Sequence, residues 1–147
     1  SRLTLNQKSG AALIEERDSG RIRHIGLSNV TVDQVRRAME LTPIASLQNR
    51  YNPSDRSQED VVEAAGELGF AFIPWAPVGG WTPGEGDALA RVAGRHGASP
   101  VQVAIAWQLA RSPQMLPIPG TGSLAHLEEN VAAATLRLTP EDLADLA

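Results

Sequence analysis

The sequence predicts an α/β fold in which four short parallel strands alternate with outer helices. Three observations carry this reading. Four apolar runs, at residues 22–27, 44–47, 70–75 and 115–118, have strand length and alternate only in part, as strands covered on both faces do. Amphipathic helix patterns separate them. Strand–helix units at this spacing imply a parallel sheet joined by right-handed crossovers.

Each element has its own punctuation. A first helix over residues 10–17 stops near Gly20, and the first strand run follows it. A helix over 32–41 starts after Thr31, a suitable N-cap, and ends near Pro43. A helix over 58–68 follows Ser57 as cap and stops at Gly69, a C-terminal glycine. After the third strand run, residues 76–86 form a loop rich in Gly and Pro with Trp81 inside it, a composition that suits a binding rim. A helix over 87–96 stops at Gly97. Ser99 and Pro100 then open another, with proline in its first turn, running to about Arg111. The fourth strand run, a helix over 123–134 and a last helix opened by Thr139 and Pro140 complete the chain. No internal boundary or low-complexity tract interrupts it, so residues 1–147 read as a single domain.

Composition narrows the function classes. The 147 residues suffice for one ordinary core, and the net charge of −4 comes from scattered residues of both signs. A nucleic-acid or membrane-surface partner would require a clustered basic patch, so neither is expected. With no cysteine there is no disulfide framework and no thiol nucleophile. No apolar run reaches the roughly 20 residues of a membrane helix, and residues 1–7 have no apolar signal core; a cytoplasmic setting is expected.

Four segments, read together, resemble the aldo-keto reductase family. They are Gly20-Arg21-Ile22-Arg23-His24-Ile25-Gly26-Leu27-Ser28-Asn29, Gln48-Asn49-Arg50-Tyr51-Asn52, Phe72-Ile73-Pro74-Trp75-Ala76-Pro77-Val78-Gly79-Gly80, and Leu116-Pro117-Ile118-Pro119-Gly120-Thr121 followed by His126-Leu127-Glu128-Glu129-Asn130. Their order and spacing cover residues 20–147. The resemblance implies a half TIM barrel, the C-terminal half, with strands five to eight of a fold that typically needs about 250 residues.

The resemblance also implies a nicotinamide cofactor, NADP (as NADPH) or NAD, and a small-molecule carbonyl substrate. Ser28, Asn29 and Gln48 would fix the carboxamide, and Trp75 would stack on the nicotinamide ring. Pro77, Val78 and Gly79 would line the next part of the cofactor. Gly120, Thr121 and Ser123 open a helix whose free N–H groups favour phosphate oxygens; Glu129 and Asn130 would meet adenine. From the residues alone, other readings stand beside these: a turn cap for Ser28 and Asn29, a buried structural amide for Gln48, plain core for Trp75 and a solvated side chain for His126. Trp107, among Ala104, Ile105 and Leu109, reads as core. Many members carry a lysine where Gly120 stands and an arginine where His126 stands. Without those cations, preference for NADP over NAD should be small.

The catalytic set is the gap. The family reduces carbonyls with an aspartate, a tyrosine acid, a lysine and a histidine, all from the first half of the barrel, and none matches a position here. Tyr51 is the single tyrosine and Lys8 the single lysine. Tyr51 belongs to the Gln48-to-Asn52 motif, Lys8 precedes the first expected helix, and His24 lies inside a strand run. A general acid must come within about 2.6–3.2 Å of the atom it protonates, and these three cannot be assembled so. The adjacent pairs Glu59-Asp60 and Glu128-Glu129 diverge on a helix and read as solvated charge or capping. No metal-ligand spacing, phosphate loop or nucleophile elbow is present. No catalytic or metal-binding residue is therefore assigned.

Three readings follow. The chain is the cofactor half of a carbonyl reductase that needs its other half, a half barrel recruited to a non-redox reaction such as isomerisation or cyclisation, or a binding or structural relic. Half a barrel leaves strand edges and an apolar face open. A homodimer or a complementary N-terminal half is the expected partner.

Overall fold

A computed structural model describes residues 7–79 and 85–147; Trp81, expected within a rim loop, lies outside the described residues. Three of the four expected strands form a parallel sheet in the order β1 (Gly26–Ser28), β2 (Ser46–Gln48), β3 (Ala71–Phe72). Gly26 pairs with Ser46, Leu27 with Leu47 and Ser28 with Gln48; Ser46 and Leu47 pair onward with Ala71 and Phe72.

The strands are shorter than the apolar runs, and the fourth is a correction. Residues 115–118 make a single parallel bridge, Met115 to Phe72, closed by Phe72 N donating to Gln114 O and Leu116 N donating to Phe72 O, both at 2.9 Å. Prolines explain this: Pro117 and Pro119 have no N–H to continue the ladder. Pro74 similarly ends β3, although Ile73 N still reaches Leu47 O (2.7 Å) and Trp75 N reaches Asn49 O (3.0 Å).

The helices are α1 (Gln7–Asp18), α2 (Val32–Met39), α3 (Glu59–Leu68), α4 (Glu85–His96), α5 (Pro100–Arg111), α6 (Leu124–Ala132), extended by a 3₁₀ turn at Ala133–Thr135, and α7 (Pro140–Asp145). Thr31 with Gln34, Ser99 with Gln102 and Thr139 with Asp142 each form a reciprocal capping box. Gly69 ends α3 in the left-handed region at φ 77°. Four expectations shift. Lys8 lies in the first turn of α1 rather than before the helix. The second helix ends at Met39, with turns through Leu41 and Thr42. Ser57 does not cap α3: its hydroxyl donates to Asp55 Oδ1 at 2.7 Å, and Gln58 holds the cap position. His24 precedes β1 and is exposed.

The core lies between the sheet and α3, α4 and α5, around Leu47, Tyr51, Phe70, Phe72, Val103 and Trp107, all at most 2% exposed. Trp107 stacks on Tyr51 with ring centroids 5.6 Å apart, and Phe72 meets Tyr51 edge-on at 5.8 Å. Helix α6 buries no residue; Leu124, Leu127 and Val131 stay exposed, as do Leu116 and Ile118 beside it. No helix among the described residues is long and apolar enough to cross a membrane.

Helix α7 is held by one carboxylate. Asp142, 1% exposed, accepts from Thr139 N and Oγ1 (both 2.8 Å) and from Arg95 Nη1 (2.7 Å), and lies 2.7 Å from His96 Nε2. Burial opposes its ionisation. The His96 contact, the Thr139 N–H and hydroxyl and Arg95 outweigh that, so the carboxyl stays well below the usual range. A depressed folded-state value stabilises above the unfolded Asp range and is lost as pH falls through the folded one. Asp142→Asn is expected to cost about 2 kcal/mol at neutral pH, since it weakens a cap, the partly solvent-screened Arg95 ion pair and the His96 contact. Thermal melts from pH 7 to 3 should show the wild-type advantage shrinking below about pH 4; a constant gap would refute this role.

Candidate cofactor-binding site

The site begins with strand alternation. Leu47, Asn49 and Tyr51 point into the core, so Gln48 and Arg50 lie on the opposite face. At the ends of β1, β2 and the run after β3, four expected site residues converge. Ser28 Oγ donates to Gln48 O (3.0 Å) and accepts from Asn29 Nδ2 (2.9 Å). Asn29 N also donates to Gln48 O at 3.0 Å. Trp75 Nε1 donates to Asn29 Oδ1 at 3.1 Å. Asn29 holds φ 54°, a left-handed conformation that asparagine tolerates and that turns its amide across the strand ends.

Donor arithmetic fits a planar carboxamide. Asn29 keeps one N–H and one lone pair unused, and the Gln48 amide has no hydrogen-bond partner among the described residues. Trp75 is 36% exposed, so the core reading of this residue does not fit. Gln48 is half-buried but not internally bonded, which removes its reading as a satisfied structural amide.

The loop after Trp75 is pinned from behind. Ala76 has φ 51°, and its carbonyl accepts from Asn52 Nδ2 at 3.1 Å. The fully buried Gln108 donates to Pro77 O. Gly79 has φ 57°, and a Cβ there would sit 3.1 Å from the Asn52 amide, so only glycine passes this point without a shift. Pro77 is buried and Val78 packs on the core, so these two offer a ligand backbone rather than side chains. Asn52 and Gln108, which sequence reading missed, carry this loop. Their signal was two amides at positions a packed core rarely tolerates.

The second expected group lies at the start of α6. Ser123 Oγ accepts from His126 N at 3.4 Å, and Thr121 Oγ1 accepts from Ser123 N at 3.1 Å. The helix has thus capped one of its own first N–H groups, leaving Leu124 N and Ala125 N for an anion. Gly120, Thr121, His126 and Glu129 are exposed, and Ser123 and Asn130 half-buried. No hydrogen bond among the described residues links this group to the Ser28–Trp75 group. Glu129 O accepts from Gln102 Nε2 at 3.1 Å, which ties α6 to α5.

Tyr51 is engaged in the core. It is fully buried, and its hydroxyl donates to Glu59 Oε2 at 2.6 Å. Burial first, and then Glu59, push its pKa up to about 12, against the opposing charge of Arg111. Glu59, expected to be solvated, is instead the partner of both Tyr51 and Arg111.

Comparison with known proteins identifies the family. The sequence model of the aldo/keto reductase family matches residues 8–147. Pyridoxine 4-dehydrogenase of Escherichia coli is 45% identical over 140 residues, which are 95% of this chain and 49% of that protein. A thermostable aldo-keto reductase crystallised with epalrestat superposes with a TM-score of 0.87 at 30% identity, over 92% of this chain and 52% of its own. An aldo/keto reductase from Klebsiella pneumoniae, solved with NADP and acetate, gives 0.84 at 25% identity, over 95% and 52%. The chain spans about half the length of the curated relatives it matches. With a parallel sheet alternating with helices and a family match over nearly its whole length, the chain belongs to the aldo/keto reductase family.

Proposed function

We propose that this chain is the nicotinamide-binding, C-terminal half of a carbonyl-reducing (β/α)₈ barrel, supplying strands five to eight and no catalytic acid. The observation that carries this reading is the hydrogen-bonded cluster of the Ser28, Asn29 and Trp75 side chains with the Gln48 carbonyl at the strand ends, together with a part-exposed indole and a Gln48 amide that has no partner among the described residues. Trp75 would back the ring, Gln48 and Asn29 would orient the carboxamide, and the N-terminus of α6 would take phosphate oxygens. The cofactor, when bound, supplies the hydride. An aspartate, tyrosine, lysine and histidine from a complementary N-terminal half would handle the proton, and the exposed residues of α6 and the fourth strand segment give that half an apolar surface to cover.

Titrating NADPH and NADH while following tryptophan fluorescence tests the reading. Quenching on binding is expected, with little difference between the two cofactors because Gly120 and His126 supply no fixed cation. Trp75→Ala should weaken binding by about 0.5–1.5 kcal/mol plus the lost contact area. Absence of binding at millimolar cofactor, or an unchanged affinity in the variant, would sink the proposal.

A further inference from the structure

Arg50 stands in the same strand-end group without a role in the cradle. Its guanidinium lies over the Trp75 ring, 5.7 Å from the centroid, and its backbone bridges that of Trp75. Arg50 Nε lies 3.3 Å from Asp55 Oδ2, and its side chain is half-exposed. The terminal guanidinium nitrogens have no hydrogen-bond partner among the described residues. Asp55 is itself fixed: two backbone hydrogen bonds of 3.1 Å join it to Asn52, and its carboxylate accepts from Ser57 Oγ at 2.7 Å. That hydroxyl first, then the Ser57 N–H and the Arg50 charge, keep Asp55 below its ordinary range against partial burial, so it is ionised at neutral pH.

A cleft of about 310 Å³ opens at this point, lined by Asn29, Thr31, Arg50, Asp55, Ser57 and Gln58. Most of its polar atoms already have partners. Thr31 caps α2, Ser57 serves Asp55, and Gln58 Oε1 accepts from Asn49. Besides the spare N–H and lone pair of the Asn29 amide, the guanidinium fork is what remains for a ligand. Asn29 lines both this cleft and the nicotinamide cradle, so a group held at Trp75 has the fork within reach. Planar fork donors pair with carboxylate and phosphate oxygens better than any other side chain does.

We infer that Arg50 is a specificity-determining residue that recognises an anionic arm, carboxylate or phosphate, on a carbonyl substrate. The inference deepens the proposed carbonyl reduction and rests on it for the carbonyl. Asp55 sets the strength: as counter-ion it holds the guanidinium in place through Nε while lowering its attraction for a second anion.

The test follows the indole Nε1–H resonance of Trp75, assigned by its loss in Trp75→Phe, while the chain is titrated with 4-oxobutanoate, 2-oxoethyl phosphate and butanal. The two anionic probes should bind about tenfold or more tightly than butanal, and the margin should narrow with added salt. Arg50→Gln should erase the margin, Arg50→Lys should keep part of it, and Asp55→Asn should widen it. Whichever anionic probe binds more tightly identifies the source of the charge. Equal binding of butanal, or a margin that survives Arg50→Gln, would overturn the inference. NADPH titrated into the same samples keeps the two readings apart. Cofactor binding without an anion margin removes only the Arg50 role, and an anion margin without cofactor binding removes only the nicotinamide reading.

Discussion

Supplied with a chain carrying the first four strand–helix units of a family member, this protein is expected to gain NADPH-dependent aldehyde reduction roughly a thousandfold or more above either chain alone. The size follows from the acid. Positioned proton transfer contributes about 10²–10⁴ in rate, and on the proposed reading the group that performs it comes from the other half. Tyr51 is the single tyrosine, and its proton is already committed to Glu59 inside the core, with the pKa pushed up to about 12. Its ring is held between Trp107 and Phe72, on the opposite side of β2 from Gln48. The experiment is co-expression of the two halves, purification of the complex and NADPH consumption across an aldehyde panel. Turnover by this chain alone at the level of the complex would refute the assignment, and Tyr51→Phe would then show whether that hydroxyl had been recruited. A homodimer that consumes NADPH without the second half would refute it as well.

The sequence made the helices plain because each has local punctuation. The pairs Thr31 with Gln34, Ser99 with Gln102 and Thr139 with Asp142, together with the glycine after α3, are readable without tertiary information. The strands were harder. An apolar run records burial, whereas strand pairing also needs N–H groups, and Pro74 and Pro117 withhold them inside two of the four runs. At the site, Ser28, Asn29, Gln48 and Trp75 were legible as motif positions, but their mutual bonds were not. The Trp75–Asn29 bond joins residues 46 apart in the chain. Arg50 went unread for a related reason: its meaning comes from Trp75 and Asp55, which only the folded β2 end brings to it. Gln108 looked like one more position on an apolar helix, and only the fold sets its amide against the carbonyl of Pro77.

Phe72→Ala is expected to remove most of the protein's stability while leaving every side chain of the proposed cofactor site intact. Phe72 is fully buried, pairs with Leu47 on one side and bridges Met115 on the other, and meets Tyr51 edge-on. It is the residue of β3 whose backbone ties the sheet to the fourth strand segment, and its side chain belongs to the main core cluster. Truncating a buried phenylalanine costs about 3–5 kcal/mol, the sum of lost transfer energy and an incompletely closed cavity. Domains of this size are stable by about 5–15 kcal/mol in total. A chain that leaves Leu116, Ile118, Leu124, Leu127 and Val131 exposed should sit near the low end. At about 2–4 °C per kcal/mol, the melting temperature should fall by roughly 10 °C or more. Phe72→Leu keeps most of the volume and should cost about 1 kcal/mol, mainly the edge-on contact with Tyr51. Trp75→Ala, three residues along, removes a part-exposed ring and should cost less than Phe72→Ala, so the two positions separate stability from binding. Denaturant and thermal melts of the three variants decide the matter. A Phe72→Ala protein melting within about 2 °C of wild type would mean that the sheet does not depend on this contact, and the core would have to be located elsewhere.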